Sequence, residues 1–301
     1  MVRRVVVRVA VVPAAGMGTR FLPATKAVPK ELLPIGDTPM LQLIIDEALG
    51  AGIDHVVVVS SKAKPGIEAY FDHSPEVIEA LEAQQRFDIA ERVRSIGSDW
   101  RVTVVHQDRP RGLGHAVGCA REAVGDQPFA VLLPDELMGS SSLLAHMNGV
   151  CLSSGGSVVA LKQVPRAAVG AYGVIDPRSP VDADGVVAIK GMVEKPDPAD
   201  APSDLIIIGR YVLTPDVFDE IERLAPGRGG EIQLTDALRA QAARSPFHGV
   251  LSDVDRYDTG TPLGYLQAAV ALSLRRAEFG ADLATFLRGL PELARADAPP
   301  R

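Results

Sequence analysis

Apolar, β-branched runs recur along the chain, and the early ones show no polar alternation. Val5–Val12, His55–Ser60, Val102–His106, Ala130–Leu133 and Val158–Val164 read as strands, followed by Val186–Val193 and Leu205–Leu213. Strands without alternation are expected where helices cover both faces of a sheet. Between the runs, apolar residues recur at three and four. That spacing predicts helices over Pro39–Ala51, Gly114–Val124, Leu143–Leu152, Asp216–Leu224, Ile232–Ala243 and Leu263–Phe279, with a charged surface pair within Ser74–Ile96. Strand then helix, repeated from the N-terminus, means right-handed crossovers and a mainly parallel sheet, an α/β fold. Ligands of such sheets bind outside the carboxyl ends of the strands, so chemistry is sought there. Asp176–Asp204 is rich in Pro, Asp and Gly and reads as hairpins and loops over a ligand site. The tail beyond about Gly280 ends in Pro-Pro-Arg and is expected to fray.

Composition narrows the function classes. With 47% hydrophobic and 23% charged residues, the 301-residue chain has the makeup of a globular protein with a substantial core. A net charge of −7 argues against general nucleic-acid binding, yet leaves room for a local basic cluster that takes a small anion. No run approaches the ~18 apolar residues of a membrane span. Cys119 and Cys151 are too few for a disulfide scaffold and lack metal-ligand spacing, so both read as reduced, core or near-core residues. The opening MVRRVVVRVAVVPAAG imitates a signal peptide, but Arg8 interrupts it and Pro13 soon ends it. A buried first strand and a cytoplasmic location are expected.

The first strand runs into Pro13-Ala14-Ala15-Gly16-Met17-Gly18-Thr19-Arg20. Gly16 and Gly18 would let backbone N–H groups approach phosphate oxygens. A dinucleotide fingerprint would need a third glycine where Phe21 stands, and a P-loop would need a GK[ST] that does not follow. Pro23, Pro29 and Pro34 forbid a regular helix, so a stiff loop carries Arg20, Lys26 and Lys30 away from the strand. Such a loop suits a polyphosphate, or is simply a solvated basic segment.

The stretch GMGTRFLPATKAVPKELLPI resembles the signature of bacterial UTP–glucose-1-phosphate uridylyltransferases, within the wider sugar-phosphate nucleotidyltransferase family. Further matching pieces follow in order: His106-Gln107, Gly112-Leu113-Gly114-His115-Ala116, Leu132-Leu133-Pro134-Asp135 and Ala171-Tyr172-Gly173-Val174. Then come Val193-Glu194-Lys195-Pro196, Gly209-Arg210-Tyr211-Val212-Leu213, Gly229-Gly230-Glu231-Ile232-Gln233-Leu234-Thr235-Asp236 and Tyr257-Asp258-Thr259-Gly260. The resemblance covers roughly residues 9–275. It implies a Rossmann-like, mainly parallel but mixed sheet flanked by helices, of the nucleotide-diphospho-sugar transferase type. It implies one domain over about 1–280, with a nucleotide-binding part to about 135, a sugar-binding part over about 136–262 and a C-terminal helix at about 263–280. It also implies a homo-oligomer, dimer or tetramer.

Residue roles follow from the same likeness, each with a physical reading beside it. Ala14, Ala15, Gly16, Gly18, Thr19, Arg20, Lys30, Glu31, Gln107, Gly112 and Gly114 are expected to bind the nucleotide. A glutamine amide suits a pyrimidine edge, and a glycine lets a flat base lie on backbone. His115 reads as a helix-start residue rather than a general base. Asp135, at a strand end, is expected to meet Mg²⁺, which takes one or two carboxylates plus phosphate oxygens and water. Asp258 is the candidate second carboxylate, the other reading of it being an Asx turn or helix cap before Pro262. Glu136, Gly173, Glu194 and Lys195 are expected at the sugar, Lys195 on its phosphate, although an exposed Glu-Lys pair has little weight alone.

Three departures bear on sugar identity more than on reaction type. Glu136 stands for the usual second Asp, Asp204 for an Asn, and Thr261-Pro262 for an Asn-Lys or Asn-Pro pair. The expected reaction is nucleotidyl transfer from UTP to a sugar 1-phosphate, glucose 1-phosphate foremost, with Mg²⁺ and release of pyrophosphate. Arg20, Lys30, Asp135 and Lys195 are the expected catalytic residues. The alternatives are another sugar 1-phosphate or dTTP, a metal-dependent glycosyltransferase, and a catalytically silent nucleotide-sugar-binding module.

Overall fold

The computed structural model describes residues 7–227 and 230–291. The N-terminal half alternates strand and helix as expected: β1 (Val9–Pro13), the two-residue ribbon β2 (Pro34–Ile35) and β3 (Thr38–Pro39), α1 (Met40–Gly50), β4 (His55–Ser60), α2 (Pro65–Phe71), α3 (Pro75–Ala83), α4 (Phe87–Ser95), β5 (Arg101–His106), α5 (Leu113–Gly118), α6 (Arg121–Val124) and β6 (Phe129–Leu132). The rest comprises β7 (Glu136–Met138), α7 (Ser142–Ser154), β8 (Ser157–Gln163), β9 (Gly173–Pro177), β10 (Val186–Glu194), β11 (Leu205–Leu213), α8 (Val217–Arg223), α9 (Leu234–Ala242), β12 (Phe247–Leu251), β13 (Arg256–Asp258), α10 (Pro262–Ser273) and α11 (Gly280–Arg288).

Among the described residues a nine-stranded sheet runs β5-β4-β1-β6-β11-β8-β12-β10-β9. β5, β4, β1 and β6 are parallel neighbours. β11 enters antiparallel between β6 and β8, and β10 pairs antiparallel with β12 and β9. The sheet is therefore mixed, with its parallel ladder concentrated in the N-terminal half. Both faces are apolar. Ala10 and Val12 of β1 join a core with α1 and α7, whereas Val9 and Val11 join a second core with α5, α8 and α9. A strand buried on both sides has no polar face, which is why its sequence does not alternate.

Several boundaries differ from the sequence reading. The helix expected over Gly114–Val124 is broken into α5 and α6. α10 stops at Ser273, and the segment expected to fray begins with a helix, α11. Over Gly280–Arg288 the chain is helical rather than frayed, Leu283 and Leu287 repeating the helical spacing; residues 292–301 lie outside the described residues. So do Val5 and Val6 of the first predicted strand and Gly229 of the GGEIQLTD motif. α2, β7, β9, β12 and β13 went unpredicted, being short segments with little periodicity to read. Thr261 caps α10 by accepting from Gly264 N–H, with Pro262 in its first turn, a standard helix start. Both cysteines are free, Cys151 in the core. No helix among the described residues is long and apolar enough to cross a membrane.

A small ribbon positions the chemistry. β13 returns antiparallel along β7, setting Asp258 opposite Glu136, while Thr259 N–H donates to Asp135 O at 2.8 Å. Residues far apart in sequence thus meet beyond the carboxyl ends of β1 and β6.

Candidate active site

The floor of the site is backbone leaving parallel strands. Ala14 N–H donates to Val59 O at 2.7 Å and Gln107 N–H to Ser60 O at 2.8 Å, so the ladder continues past the strand ends. Ala14 and Ala15 are buried. A Cβ on Gly16 would meet nothing within 4 Å, so the space above its backbone is open. Gly18 adopts φ +63° and starts the first of three 3₁₀ turns, Thr19–Phe21, Ala24–Lys26 and Lys30–Leu32. Thr25 Oγ1 donates to Gly18 O at 2.8 Å and doubles the loop back, bringing the Lys30 stem against Gly18. The prolines thus yield a loop of tight turns, as their spacing predicts.

Four charged groups converge at its end. Lys30 Nζ donates to Asp135 Oδ2 at 2.9 Å. Arg20 Nη1 donates to Gly260 O at 3.3 Å. The point where Gly260 would carry a Cβ lies 3.0 Å from Asp258 Oδ1, 3.4 Å from Arg20 Nη1 and 3.5 Å from Asp135 Oδ2. Any side chain there would fill the space the three groups share. Burial opposes the charge on Asp135, but the Lys30 ammonium, with Arg20 behind it, outweighs burial and holds the carboxyl below its ordinary range. Asp258 Oδ1 also accepts from Gly260 N–H at 2.9 Å, so it makes the Asx turn and still faces Asp135. Lys26 is exposed and joins none of these contacts.

Glu31 is fully buried, and Lys64 Nζ bridges its Oε2, at 2.9 Å, to Ala14 O, at 2.7 Å. Burial pulls the Lys64 ammonium below its ordinary value against the opposing pull of Glu31. Gln107 is buried, with Nε2 2.7 Å from His115 Nδ1. Burial, helped by Arg111, lowers the His115 pKa, which favours a neutral ring. Gly112, at φ +91°, and Gly114 both press on the 231–233 segment: added Cβ atoms would lie 2.6 and 2.9 Å from Ile232 O. Neither position has room for a side chain on that side.

The second cluster lies at the end of the β9–β10 hairpin. Gly173 pairs with Glu194, whose Oε2 accepts from Thr235 Oγ1 at 2.7 Å. A Cβ on Gly173 would sit 3.4 Å from that carboxylate. Lys195 follows at φ +48°, its N–H donating to Tyr172 O, and its ammonium is exposed 3.5 Å from Glu194 Oε1. Glu136, expected at the sugar, also has protein partners. Its Oε2 accepts from Gly209 N–H at 3.0 Å and from Arg256 Nε at 2.5 Å, so one of its oxygens is held by protein partners. The extra methylene reaches the neighbouring β11 and β13. Asp204 accepts from Gln163 Nε2 at 2.8 Å. Tyr211 is buried between the clusters, its phenol pKa raised first by burial and then by Glu136, Glu194 and Asp135.

The donor set fits a hard cation of few protein ligands. Among the described residues no three His, Cys, Asp or Glu gather, whereas Asp135 and Asp258 aim at one point. Two carboxylates with substrate oxygens are what Mg²⁺ commonly takes. Sequence reasoning missed Lys64 and Glu47, and quoted Thr235, Tyr211 and Arg210 only as members of motifs, without a role. Lys64 lies just past a strand end, where ligands are sought, and Arg210 interrupts an otherwise apolar run, a signal that a partner must be buried with it.

Comparison with known proteins agrees with this architecture. Residues 9–274 match the model of the family described as Nucleotidyl transferase. The chain is 41% identical to the UTP–glucose-1-phosphate uridylyltransferase of Bacillus subtilis, over 94% of this chain and 97% of that protein. A UTP-bound UGPase from Acinetobacter baumannii superposes with TM-score 0.88 at 36% identity, over 94% of this chain and 99% of that one. A UDP-glucose pyrophosphorylase complexed with UDP-glucose superposes with TM-score 0.80 at 40% identity, over 90% of this chain and all (100%) of that one.

Proposed function

The chain belongs to the nucleotidyl transferase family, and we propose that it transfers a uridylyl group from UTP to glucose 1-phosphate, giving UDP-glucose and pyrophosphate. The observation that carries this reading is the convergence of Arg20, Lys30, Asp135 and Asp258 beyond the open backbone at Gly16.

A phosphate oxygen of glucose 1-phosphate attacks the α-phosphorus of UTP. The bond to the β-phosphate bridging oxygen breaks, and pyrophosphate leaves in line. The attacking phosphate is already ionised near pH 7, so no general base and no covalent enzyme intermediate are needed. The protein contributes position and charge. Arg20 and Lys30 neutralise the departing pyrophosphate, while the backbone at Gly16, Gly18 and Thr19 donates to phosphate oxygens. Ala14, Ala15, Glu31, Gln107, Gly112 and Gly114 frame the uracil. Glu194 and Gly173 meet the sugar, and the exposed Lys195 takes its phosphate. Asp135 and Asp258 would hold Mg²⁺, which neutralises charge on the reacting phosphates.

The exposed apolar line of Leu263, Leu266 and Val270 on α10, continued by Leu274 just past its end, supports assembly into a homo-oligomer. The test of the reaction is pyrophosphate release on mixing with UTP, Mg²⁺ and glucose 1-phosphate, against a panel of other triphosphates and sugar 1-phosphates. Release with dTTP or another sugar alone would replace the substrates. Binding without release under every pairing would leave the glycosyltransferase or silent-module reading.

A further inference from the structure

We infer that Arg210, paired with Glu47, is the positioning residue that fixes Asp135 for the reaction. This deepens the function proposed above and rests on Asp135 acting at the phosphates. Arg210 is fully buried, an arginine in the middle of the apolar strand β11. Its guanidinium makes five hydrogen bonds. Nε and Nη2 donate to the two Glu47 oxygens at 2.7 and 2.6 Å, a bidentate pair reaching across from α1. The remaining donors reach carbonyls: Nη1 to Gly209 O at 2.8 Å and Leu133 O at 3.3 Å, and Nη2 to Glu136 O at 2.7 Å.

Those contacts bracket one turn. Leu133 O and Glu136 O lie on either side of Pro134-Asp135, and Glu136 N–H closes the turn on Leu133 O at 3.3 Å. The carbonyl between them, Asp135 O, accepts from Thr259 N–H. Gly209 completes the lock: its O accepts from Leu133 N–H, its N–H donates to Glu136, and an added Cβ would come within 2.9 Å of both residues. Asp135 itself touches neither Arg210 nor Glu47 in this network, so Arg210 acts through backbone. A carboxylate that must hold its place to within a fraction of an ångström is thereby tied to the most deeply buried cation among the described residues. Lysine cannot reproduce this arrangement, because one ammonium has three donors and no planar fork.

The experiment compares three variants with the parent. Arg210→Lys keeps the charge facing Glu47. The double variant Glu47→Leu/Arg210→Met removes both buried charges and keeps volume, a replacement that often leaves stability intact. Asp135→Asn is the reference for loss of the carboxylate. Each is measured for melting temperature, for kcat and KM, and for the extra thermal shift that Mg²⁺ adds to that of UTP alone. Arg210→Lys should lower kcat about 10- to 100-fold, the scale typical of groups that orient a metal's ligands, with KM for UTP within about twofold. It should also lose the Mg²⁺-dependent part of the thermal shift. The double variant should recover the melting temperature but not kcat. Full turnover in either folded variant, with Asp135→Asn inactive, would overturn the positioning role. Full turnover in Asp135→Asn would instead overturn the reading of Asp135 on which it rests.

Discussion

Lys30 Nζ stands 2.9 Å from Asp135 Oδ2, so one ion pair closes the loop after the first strand onto the end of the fourth strand of the parallel ladder. The two groups come from 105 residues apart, and the Lys30 ammonium holds the Asp135 carboxyl below its ordinary range against the cost of burial. A triphosphate would draw the ammonium toward itself and leave the carboxylate to a cation. Lys30→Ala should therefore lower turnover about 10²-fold, the scale of losing one preorganised electrostatic partner. The fold should survive, because the stem of Lys30 contributes little to either core. Unchanged kcat in a variant with normal circular dichroism would remove Lys30 from the site.

How much of this was legible beforehand depends on whether a residue's partners are local. The parallel ladder was legible because Val9–Val12 and Val56–Val59 are apolar on both faces, a pattern that needs no knowledge of neighbours. The loop of Arg20 and Lys30 was legible because its prolines act locally. Glu136 was not, since its partners Gly209 and Arg256 come from 73 and 120 residues away. The packing of Gly112 and Gly114 was not legible either, since Ile232, which presses against both, comes from a distant segment. Arg210 was quoted as part of a motif, yet its purpose became visible only once Glu47 stood beside it.

Lys195 and Lys162 both follow apolar strand runs, and the structure separates them. Lys162 sits within β8, paired in register with Ile206, whereas Lys195 leaves β10 in a left-handed conformation with its ammonium exposed beside Glu194. Lys195→Ala should raise KM for glucose 1-phosphate about tenfold or more while UTP affinity stays near normal. Lys162→Ala should be nearly silent. Equal losses of nucleotide affinity in calorimetric titrations of both variants would refute the assignment of Lys195.

Glu136 should now behave as a structural acid. With side chains 13% and 11% exposed, Glu136 and Arg256 form a largely buried pair that joins β7 to β13. Glu136→Gln keeps the shape but removes the charge facing Arg256, which should cost about 1–3 kcal/mol of stability. Turnover should fall through loosening of Asp135 and Asp258, with no change in preference among sugar 1-phosphates. A variant of unchanged melting temperature and altered sugar preference would return Glu136 to the sugar site.

Histidines set an acid limit on stability. Burial lowers the pKa of His55 and His248 below the free value of 6.5, and burial with Arg111 does so for His115. The unfolded chain then binds more protons than the folded one wherever free imidazole is charged and the buried ring is not. This stabilisation is present above pH 6.5 and is lost as pH falls through the folded values. The melting temperature should drop between about pH 6.5 and 5, before most carboxylates titrate. His55→Gln, which retains a partner for Thr103, should flatten part of that slope. A melting temperature constant from pH 7 to 5 would contradict this.

Asp135 and Asp258 face one point but are held differently, and that difference orders their variants. Asp135 closes a turn locked on β11 and carries the Lys30 pair, so its carboxylate is fixed before any ligand arrives. Asp258 sits at the end of a three-residue strand, one oxygen already accepting from Gly260 N–H. Each is isosteric with Asn, so substitution removes charge and keeps shape. Mg²⁺ keeps few protein ligands and several waters, so losing the better-held carboxylate should matter more. Asp135→Asn should abolish turnover at ordinary Mg²⁺. Asp258→Asn should lower kcat and raise the Mg²⁺ concentration needed for half-maximal rate, with partial recovery as Mg²⁺ is increased. Rate measurements across a Mg²⁺ series would decide the matter. Full activity of Asp135→Asn after chelation of the metal would show that neither carboxylate serves a cation in this reaction.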